Sequence, residues 1–329
     1  MNTNFTWACL EPDAQTILAA QEQPLQALAE ARVPALILRN ALPVEHCQSL
    51  ISHMVSQGLL PDPELALPQA LQDQAIPEGY YREGRNQANQ YAWNAAAQSG
   101  KARIDIGTSL GYRGSDPEAF FAHSRETHAL FRRLFGHDHD GYEGRGPHNV
   151  QVSAPSAKGV CDPVQTLYDA LQSVAGGRRV LTAREADGQL YGPAIVRAHY
   201  GGYTYAPHFD SVRLRENREG YAVHGFSHQF AGVLILQNAC LGDSTAQCTI
   251  HKCLWEPHLD PHLKAGTFHD YAKSQAVPKT TVHLNPGDLY FFNTRCIHEV
   301  PGLTGATPRI VVATFIGFDE GRDEIFVWS

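Results

Sequence analysis

The sequence has no run of about 18 or more apolar residues, the length that a transmembrane helix requires. Positive charge is also scarce: 26 Lys and Arg residues stand against 34 Asp and Glu residues, and the formal net charge is −8. Nucleic-acid binding depends on clustered Lys and Arg side chains that neutralise phosphates, and the chain contains no long basic run. We therefore expect neither a membrane nor a nucleic-acid partner.

We expect neither a secretion signal nor a disulfide framework. Met1–Leu10 contains no basic segment that leads into an apolar core. The seven cysteines are odd in number and widely scattered, which is typical of reduced thiols, so a cytoplasmic protein is the expectation. What the sequence does contain is a hydrophobic content of 43%, enough for a sizeable core, and 17 histidines, which direct attention to metal binding.

Helical signals dominate the first half of the chain. The pairs Asp116-Pro117 and Asp162-Pro163 each combine an N-cap residue with a proline at the first helical position, so each should open a helix. The Pro/Gln-rich stretch Leu60–Tyr91 gives no clear assignment. The other predicted elements are a helix within Ala14–Ala31 that is interrupted at Pro24, a strand at Val33–Arg39 and a helix from about Pro43.

Strand signals dominate the chain after Gly177. Short β-branched and aromatic runs alternate with turn residues, a pattern typical of a β-sandwich or barrel. We expect a single catalytic domain over residues 1–329, mainly helical over 1–178 and with a β-rich core over 179–329. The predicted strands are Ile195–Tyr200, Gly232–Leu236, Cys248–Trp255, Thr281–Leu284, Leu289–Asn293, Ile310–Phe318 and Ile325–Trp328, with a type II turn at Asn285–Asp288.

One constellation has the spacing of a metal centre. His208 and Asp210 are two residues apart, so both side chains point to the same side of a strand. His298 would come from a neighbouring strand as the third ligand. Two imidazoles and one carboxylate on one face of a metal leave other positions open, which suits non-haem Fe(II) oxygenases. Arg309, eleven residues after His298 at the start of an apolar strand, predicts a bound carboxylate.

A His-x-Asp pattern alone is weak evidence, because the chain holds a second copy at His258-Leu259-Asp260. A proline on each side of that copy predicts an irregular loop with no matched strand pair. His208 instead ends a strand-like run, Ile195–Tyr205, and is accompanied by His298 and Arg309. We therefore place the metal at the first copy.

Other clusters are weaker candidates for a second metal site. Cys248, His251 and Cys253 form a CxxHxC pattern, but the two cysteines would face opposite sides of a strand, and structural zinc needs four converging ligands. His137 and His139 lie in a Gly/His/Asp-rich segment that predicts a solvated loop. The sequence favours no metal at either place.

The segments Ile195–Asp210 and Asn285–Phe318 resemble the Fe(II)/2-oxoglutarate dioxygenase superfamily, whose motif is His-x-Asp, a distal His and then an Arg. The resemblance covers Val33–Asn40 and Ala194–Ser329. It implies an α+β fold with a double-stranded β-helix (jelly-roll, cupin-like) core and N-terminal and flanking helices. It also implies Fe(II) as cofactor, 2-oxoglutarate as cosubstrate and O₂ as oxidant, with the iron and 2-oxoglutarate sites in residues 179–329.

The motif also implies a role for each matching residue. Arg309 would bind the distal carboxylate of 2-oxoglutarate. Tyr200 would donate a hydrogen bond to the same cosubstrate or serve as an aromatic residue of the barrel wall. Arg197 would be a second carboxylate contact or a surface charge, and we expect a surface charge. The implied iron ligands are His208, Asp210 and His298.

Asp323–Ser329 and Ile37–Met54 are also similar to the carrier-independent halogenases of indole-alkaloid biosynthesis. Those enzymes have Gly where this chain has Asp210, and the vacancy is where chloride binds the iron. A carboxylate in that place disfavours halogenation. The resemblance therefore implies hydroxylation of an unactivated C–H bond with release of succinate and CO₂, and desaturation, cyclisation or halogenation stands as the alternative within the superfamily.

A small molecule, such as an amino acid or a natural-product intermediate, is the expected substrate. The walls of the substrate-binding site should come from the helical front part, from Leu60–Tyr112 and from Ser211–Gln229. Two rival classes stay open: a non-catalytic metal-binding jelly-roll protein, which has no need of Arg309, and a protein or nucleic-acid demethylase, which the acidic charge balance disfavours for nucleic acid. The sequence defines neither the individual substrate nor the oligomeric state.

Overall fold

The computed structural model describes residues 7–12, 23–62, 81–82, 102–139, 161–200, 202–303 and 307–329. The expected helical segment at 14–22 and most of the 60–91 stretch lie outside these residues. None of the helices within them is long and apolar enough to cross a membrane. The described helices are α1 (Pro24–Ala29), α2 (Val44–Ser56), α3 (Leu110–Arg113), α4 (Pro117–Phe135), α5 (Pro163–Val174), α6 (Asp260–Ala265) and α7 (Phe268–Ser274).

Four helices, α1, α2, α4 and α5, begin where the sequence predicts. Asp116 caps α4 by accepting a hydrogen bond from the backbone N–H of Ala119, and Asp162 caps α5 by accepting from two backbone N–H groups. A cap of this kind contributes about 1 kcal/mol to stability. Pro24 is the first residue of α1, because a proline is tolerated only in the first turn, where its missing N–H is not needed.

Two largely antiparallel sheets form the centre of the chain. Within the described ranges, the large sheet has the strand order β1-β12-β7-β14-β5-β3-β2, with β15 beside β14 and β4 parallel to β15, and the small sheet has the order β11-β10-β13-β6. The strands are β1 (Leu36–Leu38), β2 (Tyr81–Arg82), β3 (Ala102–Ile106), β4 (Arg179–Thr182), β5 (Ile195–Tyr200), β6 (Tyr205–His208), β7 (His228–Gln237), β8 (Cys240–Leu241), β9 (Ser244–Thr245), β10 (Cys248–Leu254), β11 (Lys279–Val282), β12 (Leu289–Asn293), β13 (Cys296–Val300), β14 (Arg309–Phe318) and β15 (Glu324–Trp328).

Each sheet is covered on both faces. Helices α2, α4 and α5 pack on the outer face of the large sheet, where Val196 and Ala198 of β5 join the main core. The inner faces of the two sheets share a second core, which includes Phe292 from the large sheet and Ile250 from the small one. Helices α6 and α7 cover the outer face of the small sheet. Burying a large apolar side chain contributes roughly 1.5–3 kcal/mol, so these three cores hold the layers together.

Two features of the sheets differ from the sequence predictions. The front part of the chain supplies β1, β2 and β3 to the large sheet, whereas the sequence analysis predicts only β1 among them. The expected single run Ile195–Tyr205 is two strands, since β5 ends at Tyr200 and β6 begins at Tyr205 in the other sheet. Gly202, with φ of +72°, permits the bend between them, because residues with a side chain rarely adopt that conformation.

Candidate metal centre

His208 and His298 come together because their strands are neighbours in the small sheet. The two residues are direct Cα partners across the antiparallel pair β6–β13, and their ring centroids lie 4.2 Å apart. The residue between the first two predicted ligands, Phe209, points to the outer face of the sheet and stacks on Trp255. Strand alternation therefore directs both imidazoles to the inner face, into the cavity between the sheets.

Each imidazole is oriented by a hydrogen bond to the backbone. Nδ1 of His208 lies 2.7 Å from the carbonyl oxygen of Ala206, and Nδ1 of His298 lies 2.9 Å from that of Cys296. A carbonyl oxygen only accepts, so Nδ1 donates in both rings and Nε2 is the nitrogen that is available to a metal. The two residues are only 9% and 4% exposed, and burial lowers the pKa of His298, which favours the neutral, ligating form.

Asp210 completes the set with a single oxygen. Its Oδ2 lies 3.6 Å from Nε2 of His208 and 3.5 Å from Nε2 of His298. Arg215 donates a hydrogen bond of 2.7 Å to the other oxygen, Oδ1, and the backbone of Asp210 is fixed by two hydrogen bonds with Thr294. The carboxylate is thus held with one oxygen turned toward the imidazoles.

The electrostatics favour a charged Asp210. Burial by itself would raise the pKa of this carboxyl, but His208, His298 and the Arg215 guanidinium together hold the pKa well below its usual range. The three ligand atoms lie within 4.8 Å of one another. Two imidazoles and an ionised carboxylate that converge on one point fit a divalent transition metal such as Fe(II), with further coordination positions open toward the cavity.

Arg309 lies in the same cavity and has no acidic partner among the described residues. It is the first residue of β14 and is only 6% exposed, and its Nε finds no hydrogen-bond partner in the part of the chain that the structure describes. A buried guanidinium without a counter-charge is costly. The site therefore fits a bound carboxylate, to which the Arg309 guanidinium can donate two parallel hydrogen bonds.

Tyr290 and Cys248 border Arg309 in this cavity. Burial raises the pKa of the Tyr290 hydroxyl well above its ordinary value, and burial raises the pKa of the Cys248 thiol to about 12. Both groups are therefore protonated at neutral pH, and the Tyr290 hydroxyl is a hydrogen-bond donor beside the guanidinium. The sequence analysis does not identify Tyr290.

Tyr200 and Arg197 lie on opposite faces of β5. Tyr200 is buried in the main core beneath the helices and does not line the cavity, because even-numbered residues of β5 point away from the small sheet. Arg197 is not a surface charge: it lines the cavity, and its Nε lies 3.6 Å from Oδ1 of Asp105. His199, on the same face as Arg197, also lines the cavity.

A buried polar network continues from His199 to β3. Burial, with the positive charges of three arginines, lowers the pKa of His199 well below its usual value, so the ring is neutral. Its Nδ1 donates to the Arg309 carbonyl at 3.2 Å, and its Nε2 accepts from the Tyr205 hydroxyl at 2.9 Å. Tyr205 in turn accepts from Arg103, which pairs with Asp105 at 2.7 Å. The alternation of Ile104 and Ile106 with these charges is the sequence signal for this strand.

The other histidine clusters have different surroundings. His258 is exposed, and Asp260 begins α6, so the second His-x-Asp copy lies on a helical turn and not in a strand pair. His139 is buried and its Nε2 lies 2.7 Å from Oδ2 of Asp162, the N-cap of α5. The prediction of a solvated loop is therefore wrong for His139, whose ring completes the hydrogen bonding of a buried cap.

Comparison with protein families gives a match over residues 158–329, which fit the model of the family described as carrier-protein-independent halogenase WelO5. A search of curated protein sequences gives no match. The chain shares its fold with a crystal structure of an N-substituted L-amino acid dioxygenase from Burkholderia ambifaria AMMD in complex with alpha-KG: the TM-score is 0.51 at 13% identity, over 93% of this chain and 90% of that one. The epimerase SnoN, in complex with Fe³⁺, alpha ketoglutarate and nogalamycin RO, gives a TM-score of 0.38 at 14% identity, over 91% and 87% of the two chains.

Proposed function

This chain belongs to the family of the carrier-protein-independent halogenase WelO5, and on that premise we propose that it is an Fe(II)- and 2-oxoglutarate-dependent oxygenase that hydroxylates a C–H bond of a small molecule. The observation that carries the proposal is the convergence of His208, Asp210 and His298 beside a buried Arg309 that has no acidic partner among the described residues. A non-catalytic metal-binding protein has no use for that arginine.

The strand order supports a double-stranded β-helix as the architecture of the catalytic core. β5 lies in the large sheet, β6 lies in the small sheet, and β7 lies in the large sheet again. The chain then adds β10 and β11 to the small sheet and continues with β12 in the large, β13 in the small and β14 in the large sheet. Eight strands wound in this alternating way form two four-stranded halves that face each other, which is the jelly-roll arrangement.

Iron, when bound, would supply the activation of O₂, with 2-oxoglutarate as the source of two electrons. With that chemistry, one oxygen atom of O₂ would be found in the product as hydroxyl and the other in succinate, with release of CO₂. The protein positions the reactants. His208, Asp210 and His298 would hold the metal, and the backbone acceptors of both imidazoles fix which nitrogen faces it. Arg309 and the Tyr290 hydroxyl would bind the distal carboxylate of 2-oxoglutarate.

The wall of the cavity formed by β5, the strand beside Arg309, suits a polar substrate. Arg197, His199 and Tyr205 line it together, and Asp105 neutralises part of the positive charge. Apolar residues, among them Val233 and Phe292, line the remainder and exclude water from the metal centre. This combination supports a small substrate with one hydrogen-bonding or anionic end, such as an amino acid or a natural-product intermediate.

Hydroxylation is favoured over chlorination by Asp210. The halogenases that this chain resembles have Gly in that place, where chloride binds the iron, whereas here a carboxylate oxygen already faces the two imidazoles. The Arg215 contact holds the carboxylate in that orientation. A halide would have to displace an ionised ligand that three neighbouring groups stabilise.

A metabolite screen tests the proposal. Amino acids, N-substituted amino acids and alkaloids would be incubated with the protein, Fe(II), 2-oxoglutarate and O₂, and succinate would be measured against a His298→Ala control. We expect at least one compound to raise succinate above the substrate-free rate and to gain the mass of one oxygen atom. Loss of two hydrogens would indicate desaturation or cyclisation instead. Succinate formation that is equal in wild type and His298→Ala would contradict the assigned centre.

A further inference from the structure

The outer face of the small sheet carries a second set of two imidazoles and one carboxylate. Strand alternation on β13 turns His298 inward and the next residue, Glu299, outward. On the neighbouring strand β10, Thr249 is the direct partner of Glu299, which places His251 diagonally across from the carboxylate on the same outer face. His269, the second residue of α7, reaches Glu299 from above the sheet.

The three side chains already converge. Nε2 of His251 lies 3.0 Å from Oε1 of Glu299, and Nε2 of His269 lies 3.2 Å from Oε2 of the same carboxylate. All three ligand atoms lie within 4.8 Å of one another. Ligand atoms around a tetrahedral zinc ion with bonds of about 2.0–2.1 Å are about 3.3 Å apart. A zinc ion would therefore fit after small movements of the exposed His269 ring.

The surroundings favour a specific site over a chance surface pairing. His251 is only 1% exposed and packs edge-on against Phe268, with ring centroids 5.0 Å apart. Its ring is fixed by the core beneath α6 and α7, so Nε2 has one direction, toward Glu299. His269 is half-exposed and leaves room for a water molecule as a further ligand. The site is thus part fixed by the core and part open to solvent.

We propose that His251, His269 and Glu299 form a second metal site, separate from the iron centre, that takes zinc(II). Imidazole and carboxylate ligands suit this ion, and three protein ligands with water in the remaining position are a common zinc arrangement. The ion would join α7 to β10 and β13, and so clamp the helical segment over the strand that carries His298. This inference stands on residues outside the cavity and does not depend on the proposed oxygenase activity.

The same contacts set an upper limit on affinity. Nδ1 of His251 is buried and has no hydrogen-bond partner among the described residues, so without metal its proton sits on Nε2 and is donated to Glu299. Zinc binding at Nε2 requires the proton to be on Nδ1, which has no hydrogen-bond acceptor among the described residues. The site should therefore bind zinc more weakly than a closed site with four protein ligands.

Zinc stoichiometry provides the test, measured by elemental analysis after equilibrium dialysis of the iron-free protein against zinc. Wild type should hold two zinc ions per chain, because the iron ligands also accept zinc, and His269→Ala should hold one. The matched control is His258→Ala, another exposed histidine beside α7, which should hold two. In a His208→Ala/Asp210→Ala background one zinc should remain, and adding His269→Ala should remove it.

Two results would overturn the proposal. If wild type and His269→Ala held the same number of zinc ions, the site would be a hydrogen-bonded triad without metal. If the ion that remains in the His208→Ala/Asp210→Ala background survived the His269→Ala change, it would be bound elsewhere. Circular dichroism verifies that each variant is folded, and the comparison of wild type with His269→Ala decides the question even if the double variant does not fold.

Discussion

His208 and His298 face each other as direct partners on adjacent antiparallel strands, and both direct Nε2 to the same oxygen of Asp210. Backbone carbonyls orient both rings, and Arg215 orients the carboxylate. A metal ion would therefore bind to ligands that have little conformational freedom left to lose. The predictions below follow from the way in which neighbouring residues hold this centre.

Arg215→Leu should weaken iron binding about 10- to 100-fold, the effect typical of losing a residue that orients a metal ligand. Without the 2.7 Å hydrogen bond to Oδ1, the carboxylate can rotate away from the imidazoles. Titration of the metal-free protein with Fe(II) under argon measures the affinity. Arg213→Leu, a change at an exposed neighbour on the same segment, is the control. Equal iron affinity for the Arg215 variant and wild type would mean that Asp210 is oriented by other contacts.

The Arg309→Leu variant should retain iron. Its binding free energy for 2-oxoglutarate should be less favourable by about 3 kcal/mol, roughly a hundredfold in affinity, because a buried carboxylate would lose its partner. Anaerobic titration with 2-oxoglutarate, followed by the visible charge-transfer band of the iron complex, measures the affinity. Arg295→Leu, at an exposed arginine between β12 and β13, should leave the affinity unchanged. The assignment of Arg309 fails if its variant titrates like wild type, and Arg197 would then be the first alternative.

The unfolding free energy of the metal-free protein should fall as the pH drops below about 6.5. Buried His199 has a folded-state pKa well below the ordinary histidine value. Below pH 6.5 its imidazole is therefore protonated in the unfolded chain while it is still neutral in the folded chain. The stability that this difference provides above pH 6.5 is lost as the pH falls toward the folded-state pKa of His199. His199 contributes at most about 1.4 kcal/mol of this loss per pH unit.

His199→Gln isolates this contribution. The variant should be less stable than wild type at pH 7.5, but its stability should depend less steeply on pH between 6.5 and 5.5. Urea denaturation at several pH values, with a chelator present, gives both slopes. Identical slopes for the two proteins would show that His199 takes up a proton without unfolding.

Asp210→Gly should abolish most hydroxylation, because it removes an iron ligand. In the presence of excess chloride, wild type should give a product that has gained oxygen and no chlorine. Mass spectrometry distinguishes an oxygenated product from a chlorinated one through the chlorine isotope pattern. A chlorinated main product from wild type would refute the interpretation of Asp210. Efficient chlorination by the glycine variant is not expected, since chloride also needs hydrogen-bond donors around it.

Local patterns in the sequence predict much of the framework. The Asp-Pro pairs begin α4 and α5, and the turn at Asn285–Asp288 is confirmed by a 3.0 Å hydrogen bond between its ends and by φ of +91° at Gly287. A side chain at Gly287 would collide with the backbone oxygen of Leu42. Such features depend on residues that are close in sequence, which is why they can be predicted without knowledge of the fold.

The face of β5 could not be predicted in the same way. Counting by twos from His208 along one continuous strand places Tyr200 on the ligand side. The chain instead changes sheets at Gly202, so the alternation begins again and Tyr200 turns into the helical core. Arg103 and Asp105 could not be assigned because their environment is made by β5, which is distant in sequence. Pairing between distant strands decides these positions.

The most direct test of the account is anaerobic binding of iron and 2-oxoglutarate to wild type, His208→Ala, His298→Ala and the control His258→Ala. Wild type and the control should bind one Fe(II) and develop the charge-transfer band when 2-oxoglutarate is added. The two ligand variants should remain folded, lose stoichiometric iron binding and show no band. If a His208→Ala/His298→Ala double variant bound iron as tightly as wild type and gave the same band, the assigned metal centre would be wrong.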